Sequence, residues 1–129
     1  MPKTKLFLDS NAIILDLNKQ VDLLSFLSQW PEREVYINHV VEMESLAKPG
    51  MSKEEEDTAW GLLSGFTRKQ FTNKMRDIAV LIRREKKLLL PDAMIAASAI
   101  CLSAIVISND PHLLDFTFPG YSVRSIPAA

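Results

Sequence analysis

Two aspartates stand just beyond short apolar runs near opposite ends of the chain. Asp9 directly follows the run 5–8, and Asp110 lies just past the run 104–107. Both runs are too short for helices and have the composition of buried strands. Because ligands of open α/β sheets bind beyond the carboxyl ends of the strands, the two carboxylates are predicted to share one site.

Further carboxylates are predicted to reach this site from helices. Asp92 stands in the first turn of an otherwise apolar helix, where the helix dipole favours an anion. It shares a helix face with Ile95 and Ala99, which must be buried, so its carboxylate projects from the tip of a core helix. A fourth acid, either Glu42 or Glu44, lies on the helix after the second predicted strand.

Carboxylates that converge without a counter-charge repel one another and are costly to remove from water. A divalent cation bound among them removes that difficulty. The donors are oxygen atoms, and the chain has no useful cluster of cysteine or histidine, so magnesium or manganese is favoured over zinc. His39 and His112 lack a partner four residues on and are not predicted as ligands. Each acid taken alone is also explained as a turn or cap residue.

Bulk properties indicate one ordinary globular domain. The chain has 129 residues, of which 47% are hydrophobic and 24% charged, and its net charge is −1. That net charge argues against attraction of nucleic acid by the protein as a whole. It does not exclude binding through a local basic patch. A single cysteine, no apolar leader and no membrane-length apolar stretch favour a cytoplasmic protein with no membrane association.

Strand and helix patterns alternate along the chain. Strands are predicted at residues 5–8, 35–37, 104–108 and 121–126, and residues 88–90 form a loop or a very short strand. Helices are predicted from residue 12 with Ser10 or Asn11 as cap, at 21–30, at 39–46 after Asn38, at 53–63 from the Ser52–Glu55 capping box, at 74–86 after Asn73, and at 92–102 after Pro91. Residues 66–73 are less regular, and Leu113 begins a short helix or turn. This alternation predicts one α/β domain over residues 1–129, with a mainly parallel central sheet flanked by helices.

Four segments, taken together, resemble a PIN domain. They are Leu-Asp-Ser-Asn at 8–11, Ile-Asn-His-Val-Val-Glu-Met-Glu at 37–44, Leu-Pro-Asp-Ala-Met-Ile-Ala-Ala-Ser-Ala at 90–99, and Val-Ile-Ser-Asn-Asp at 106–110. The block around Asp92 is the most specific of the four. Within the family the chain resembles the VapC-type toxins of bacterial and archaeal toxin–antitoxin pairs, over essentially its whole length.

The resemblance implies which residues form the site. It assigns Asn11 to the amide that supports the first aspartate and Ser108 to the hydroxyl two residues before the last acid. The family's acidic quartet falls on Asp9, Glu44, Asp92 and Asp110.

The chain departs from the family pattern at one position near the second acid. The family glutamate is normally followed by leucine, whereas Ser45 follows Glu44 here and Leu46 comes one residue later. Glu42 therefore stays open as an alternative to Glu44.

The resemblance implies a metal-dependent ribonuclease that is inhibited by an antitoxin protein. Asp9 and Asp92 would be the principal ligands of Mg²⁺ or Mn²⁺, Glu44 would ligate the ion or orient a water, and Asp110 would hold a second ion or a water. Asn11 and Ser108 would support these acids through hydrogen bonds. The helices that contain Leu23, Leu27 and Trp60 are candidates for the antitoxin groove or for a homodimer face.

Three other functions compete with this interpretation. A catalytically weak PIN module that binds RNA or a partner protein is the strongest, because of the departure at Ser45. A phospho-acceptor receiver domain would need an acidic pair after its first strand and a late lysine. A haloacid-dehalogenase-like phosphatase would need a second aspartate where Asn11 stands.

Basic residues concentrate in the middle of the chain and are candidates for contacts to RNA phosphates. They are Lys48, Arg68, Lys69, Lys74, Arg76, Arg83, Arg84, Lys86 and Lys87. The cluster 83–87 is better explained as a solvated helix end, where cations suit the helix dipole.

Overall fold

The computed structural model describes residues 2–129, in which strands and helices alternate as predicted. The strands are β1 (Thr4–Leu8), β2 (Arg33–Ile37), β3 (Thr67–Arg68), β4 (Ile105–Ile107) and β5 (Val123–Arg124). The helices are α1 (Ser10–Leu17), α2 (Leu23–Leu27), α3 (His39–Leu46), α4 (Lys53–Leu63), α5 (Asn73–Glu85), α6 (Leu90–Leu102) and α7 (Pro111–Leu114).

The five strands form one parallel sheet in the order β3-β2-β1-β4-β5, which confirms the predicted fold class. In the register of β1 and β4, Leu8 lies opposite Ile107. In the register of β2 and β3, Ile37 lies opposite Arg68. Because all strands run in the same direction, their carboxyl ends form one edge, where the residues after β1 and β4 are neighbours.

The core lies on both faces of the central strand. Leu6, Phe7 and Leu8 are all fully buried. Because successive residues of a strand point to opposite faces of the sheet, both faces of β1 are covered. Helix α6 is apolar on almost every side because it lies between two layers: Ile95 packs in the cluster around the sheet, and Ala96 packs against α5. This enclosure holds the first turn of α6, and therefore Asp92, in a defined place.

Several helix starts follow their sequence signals. The Asn38 side chain accepts a hydrogen bond from the Val41 N–H and caps α3. The reciprocal bonds of the predicted capping box join Ser52 and Glu55 at the start of α4. Pro91 stands in the first turn of α6, where its missing N–H costs nothing.

Other boundaries differ from the predictions. Helix α2 covers only Leu23–Leu27 of the predicted 21–30, and α5 is capped by Thr72 rather than Asn73. Strand β3 lies in the segment predicted to be irregular, because a two-residue edge strand carries no alternating pattern to detect. Residues 88–89 are a loop and not a strand.

The predicted cap of α1 is also wrong. The helix begins at Ser10, so Asp9 is the cap residue, and its side chain makes no capping hydrogen bond. Ser10 and Asn11 instead bond to residues distant in sequence, Glu44 and Asn109. Tertiary partners have replaced the local hydrogen bonds that these residue types ordinarily make.

Two of the residues proposed for a groove or a dimer face are not at the surface. Leu23 and Leu27 are fully buried in the core cluster of the sheet. Trp60 on α4 is 41% exposed and remains available to a partner.

The helices are short compared with the thickness of a bilayer. The longest, α5 and α6, have 13 residues each. A membrane-spanning helix needs about 20 predominantly apolar residues. No helix within residues 2–129 is long and apolar enough to cross a membrane.

Candidate functional site

The site begins where β1 and β4 end side by side. The Asp9 N–H donates to the Ile107 carbonyl oxygen at 3.1 Å, which continues the ladder one residue beyond the strands. The Ser108 Oγ donates to Asp9 Oδ2 at 2.8 Å, and both side chains are buried. Ser108, predicted to support the acids, thus contacts the first of them directly.

The same hydroxyl also positions the last acid. Ser108 Oγ accepts a hydrogen bond from the Asp110 N–H at 3.0 Å. Asp110 then caps α7, since its Oδ1 accepts from the His112 N–H at 2.9 Å. One serine therefore joins Asp9 and Asp110, which lie 101 positions apart in the chain.

A pair of asparagines closes the turn between β4 and α7. Asn11 Oδ1 accepts from the Asn109 N–H at 2.9 Å. The Asn109 side chain bonds both the N–H and the carbonyl oxygen of Ile126, which anchors the segment after β5. Asn11 was predicted to support Asp9, whereas its side chain bonds the backbone of the turn that carries Asp110. Asn109 was not predicted, because nothing in its sequence surroundings distinguishes it from a turn residue.

The two glutamates of α3 have different partners. Glu44 is exposed, and its Oε1 accepts a hydrogen bond from Ser10 Oγ at 2.9 Å, one residue after Asp9. Glu42 is buried and receives two hydrogen bonds from the Arg68 guanidinium, at 2.9 and 3.1 Å. The fold therefore brings Glu44 toward the other acids and pairs Glu42 with a cation.

The departure at Ser45 falls on a buried position. Its side chain is 3% exposed, and its Oγ has no hydrogen-bond partner within residues 2–129. The residue lies on the face of α3 that packs inward, where the family has leucine. Glu44, one residue earlier and about 100° around the helix, is exposed.

Electrostatics in the cluster oppose ionisation of Asp9. Burial is the main reason that the pKa of Asp9 rises from 3.8 to about 6, and the hydrogen bond from Ser108 partly offsets it. The charges of Asp92, Glu44 and Asp110 raise this pKa further. All of the charged groups that shift this pKa are carboxylates.

Asp92 shows the same pattern at the tip of α6. Burial raises its pKa, and the carboxylates of Asp110 and Glu44 add to the effect, whereas His112 lowers it. Desolvation and mutual repulsion of this kind disfavour a set of ionised acids unless a cation joins them. Carboxylate oxygens with this excess of negative charge fit a hard divalent ion such as Mg²⁺ or Mn²⁺.

Two residues join the site that the sequence did not indicate. His112 Nδ1 lies 3.1 Å from Asp110 Oδ1, and ligand atoms of Asp92, Asp110 and His112 all lie within 4.8 Å of one another. Tyr121 donates to the Leu113 carbonyl oxygen at 2.7 Å, and burial together with three site acids raises its pKa. The i, i+2 spacing of Asp110 and His112 was the available signal for the histidine. Tyr121 had none, because its loop is brought to the site by the tertiary fold.

Solved structures with the same fold include components of toxin–antitoxin systems. VapBC2 from Rickettsia felis, bound to a DNA fragment from its promoter, gives a TM-score of 0.81 with 19% identity, covering 96% of this chain and 100% of that chain. A toxin–antitoxin complex from Klebsiella pneumoniae gives 0.75 with 24% identity, covering 90% and 94%. PAE2754 from Pyrobaculum aerophilum gives 0.64 with 16% identity, covering 93% and 90%. At these identities the likeness establishes the fold.

Sequence comparison gives the family. No curated protein matches the chain. The family model described as PIN domain matches residues 6–119, which include the end of β1, the acids of α3 and α6, and the turn after β4. The resemblance seen in the four sequence segments is thereby confirmed, and the chain belongs to the PIN domain family.

Proposed function

We propose that this protein is a metal-dependent endoribonuclease that hydrolyses RNA phosphodiester bonds at the acid cluster. The observation that carries the proposal is the set of carboxylates around Asp9, whose pKa is raised to about 6 by burial and by three neighbouring acids. A fold gains no stability from acids arranged in this way. Their arrangement is explained by a cation that they hold for chemistry.

In this proposal Asp9, Glu44, Asp92 and Asp110 hold one or two Mg²⁺ or Mn²⁺ ions. With an ion held there, water would be activated as a hydroxide nucleophile at neutral pH, and the charge that develops on the phosphate would be offset. Asp9 and Asp92 are the principal ligands, because they are the buried and half-buried acids at the centre of the cluster. Glu44 is exposed at the rim and ligates the ion or orients the attacking water, while Asp110 holds a second ion or a water.

The supporting residues keep the acids in place. Ser108 fixes one oxygen of Asp9, which leaves the other oxygen of that carboxylate for a ligand. Asn11 holds the backbone of the turn that carries Asp110. Such hydrogen bonds orient ligands before the ion binds, so that little rearrangement is needed.

We further propose that the protein is the toxin of a toxin–antitoxin pair and that an antitoxin protein is its partner. Support comes from the fold, which is shared with components of such complexes in Rickettsia felis and Klebsiella pneumoniae. The helices α2 and α4 are the candidates for that partner or for a homodimer. Leu23 and Leu27 are buried, but Leu24 on α2 is 55% exposed and Trp60 on α4 is 41% exposed.

The test is cleavage of cellular RNA by the purified protein with Mg²⁺, Mn²⁺ or EDTA. Asp9→Asn and Asp92→Asn variants are purified in parallel, and Glu42→Gln serves as a matched variant outside the cluster. Metal-dependent cleavage by the wild type and by Glu42→Gln, lost in both aspartate variants, is expected. Equal cleavage by all four proteins would reveal a contaminating ribonuclease. Absence of both cleavage and metal binding by calorimetry would favour a PIN module that only binds RNA or protein.

A further inference from the structure

A small cleft opens beside the acid cluster, between the loop after α5 and the helix α7. Its volume is about 370 Å³. Lys86 and Lys87 line one side, and His112, Asp115 and Thr117 line the other. This volume is at the small end of the range for ligand sites. The cleft therefore suits one nucleotide of a single strand rather than a double helix.

Many of the other basic side chains of the chain already have partners. Ion pairs join Lys48 to Glu55, Lys53 to Asp57, Arg68 to Glu42 and Arg76 to Asp77, and Arg83 donates to the Leu88 carbonyl oxygen. Within residues 2–129, the exposed ammonium groups of Lys86 and Lys87 have no hydrogen-bond or ion-pair partner. Both are therefore available to an anion from outside.

The cleft is continuous with the acid cluster through one side chain. His112 lines the cleft, and its Nδ1 contacts Asp110 Oδ1 at 3.1 Å. Asp115 is the acidic group on the cleft wall, so the two lysines leave the cleft with a positive balance. A polyanion that approaches the acids is repelled by them and is attracted by the cations immediately beside them.

We propose that this cleft binds a backbone phosphate of single-stranded RNA next to the bond that is cleaved, with Lys86 and Lys87 as its cationic contacts. The inference rests on the proposed function and adds the side on which the strand leaves the acid cluster. Within the basic cluster 83–87, Arg83 then supports the loop through Leu88, and the two lysines contact the substrate.

The test measures RNA binding by fluorescence anisotropy in EDTA, so that the strand stays intact. Wild type, Lys86→Gln/Lys87→Gln and Lys3→Gln/Lys5→Gln are titrated with a labelled single-stranded RNA at several salt concentrations. The control pair makes the same change in charge at exposed positions near the amino end of β1. All four lysines are exposed, so the melting temperatures of the three proteins are expected to agree.

Loss of the contact to one phosphate has a defined salt signature. The slope of log affinity against log salt is expected to fall by about 0.7 in the Lys86/Lys87 variant, which is the contribution of one phosphate of a single strand. The affinity at low salt should fall at least about tenfold. The control pair is expected to keep the wild-type slope.

Three results would overturn the proposal. One is a wild-type slope in the Lys86/Lys87 variant, and another is an equal loss in the control pair, which would indicate net charge alone. In either case metal-dependent cleavage by the wild type would leave the proposed function standing. The third is unchanged RNA affinity with weakened binding of an acidic peptide such as polyglutamate, which would assign the cleft to a protein partner. A wild type that neither binds nor cleaves RNA would remove both proposals.

Discussion

Glu42 and Glu44 lie two residues apart on α3, about 200° around the helix. Glu42 has a cationic partner, and Glu44 does not have one among residues 2–129. Glu42 is buried and accepts two hydrogen bonds from the Arg68 guanidinium. Glu44 is exposed, accepts one hydrogen bond from a hydroxyl, and adds its negative charge to those around Asp9 and Asp92. The two acids thus belong to two different regions, a neutralised pair at the β3 edge and an acid cluster at the ends of β1 and β4.

Glu42 is paired with a cation and stabilises the fold, whereas the clustered acids repel one another and lower its stability. The attraction of a paired and hydrogen-bonded cation offsets the free-energy cost of removing a carboxylate from water. Neighbouring carboxylates add repulsion to that cost. Burial alone therefore does not identify a functional acid: Glu42 is more buried than Glu44 but has its counter-charge. Asp9, by contrast, has the carboxylates of Asp92, Glu44 and Asp110 as the charged groups that raise its pKa.

The largest expected difference between the two regions is in activity. Asp92→Asn should lower metal-dependent RNA cleavage by about 100-fold or more, the scale of removing one preorganised electrostatic group. Glu42→Gln should stay within about twofold of the wild type, because the Glu42–Arg68 pair contacts no proposed ligand. Initial cleavage rates on one defined RNA at saturating Mg²⁺ measure both. A similar loss in the two variants would remove the distinction between the regions.

The second difference is in the pH dependence of stability. The folded protein holds the Asp9 proton with a pKa of about 6, against 3.8 ordinarily, so protonation of Asp9 favours the folded state. This stabilisation is complete below about pH 4 and is lost as the pH rises through 6, which amounts to about 3 kcal/mol. Urea unfolding in EDTA should show the wild type losing this much relative to Asp9→Asn between pH 4 and pH 7. Parallel curves for the two proteins would contradict it.

The third prediction concerns the neutralised pair. Glu42→Gln should lower the free energy of unfolding by about 2 kcal/mol, because it weakens two charged hydrogen bonds; the half-exposed position of Arg68 keeps the effect from being larger. Glu44→Gln should leave stability unchanged or raise it, since it removes a repelling charge. Urea midpoints in EDTA at pH 7 compare the two variants directly, and greater destabilisation by Glu44→Gln would reverse the assignment.

The smallest expected effect is at the hydroxyl between Asp9 and Asp110. Ser108→Ala removes the bonds to both acids, and metal affinity should fall about tenfold, the low end for a group that orients ligands. Titration with Mn²⁺ by calorimetry measures it. Ser45→Ala is the matched control, because it removes a buried hydroxyl that has no partner within residues 2–129. Equal affinity in the two variants would show that Ser108 does not orient the acids.

Much of the fold was predictable because its signals are local. The apolar run of β1, the Ser52–Glu55 capping box and the Asn38 cap are each specified within a few residues. Strand β3 was missed, and α2 was predicted too long, because their limits depend on neighbouring elements and not on their own composition.

The sequence by itself determined the fold class, the family and the positions of the candidate acids, because strand periodicity, helix signals and the block around Asp92 are all local in the chain. Only the tertiary structure decided which glutamate of α3 faces the other acids, since that depends on Arg68 and Ser10, which lie 26 and 34 residues away from their partners. It also brought His112 and Tyr121 to the cluster. Within residues 2–129, it left the ammonium groups of Lys86 and Lys87 without a hydrogen-bond or ion-pair partner. Charge neutralisation acts through space, so no short stretch of sequence records which carboxylates have a cation of their own.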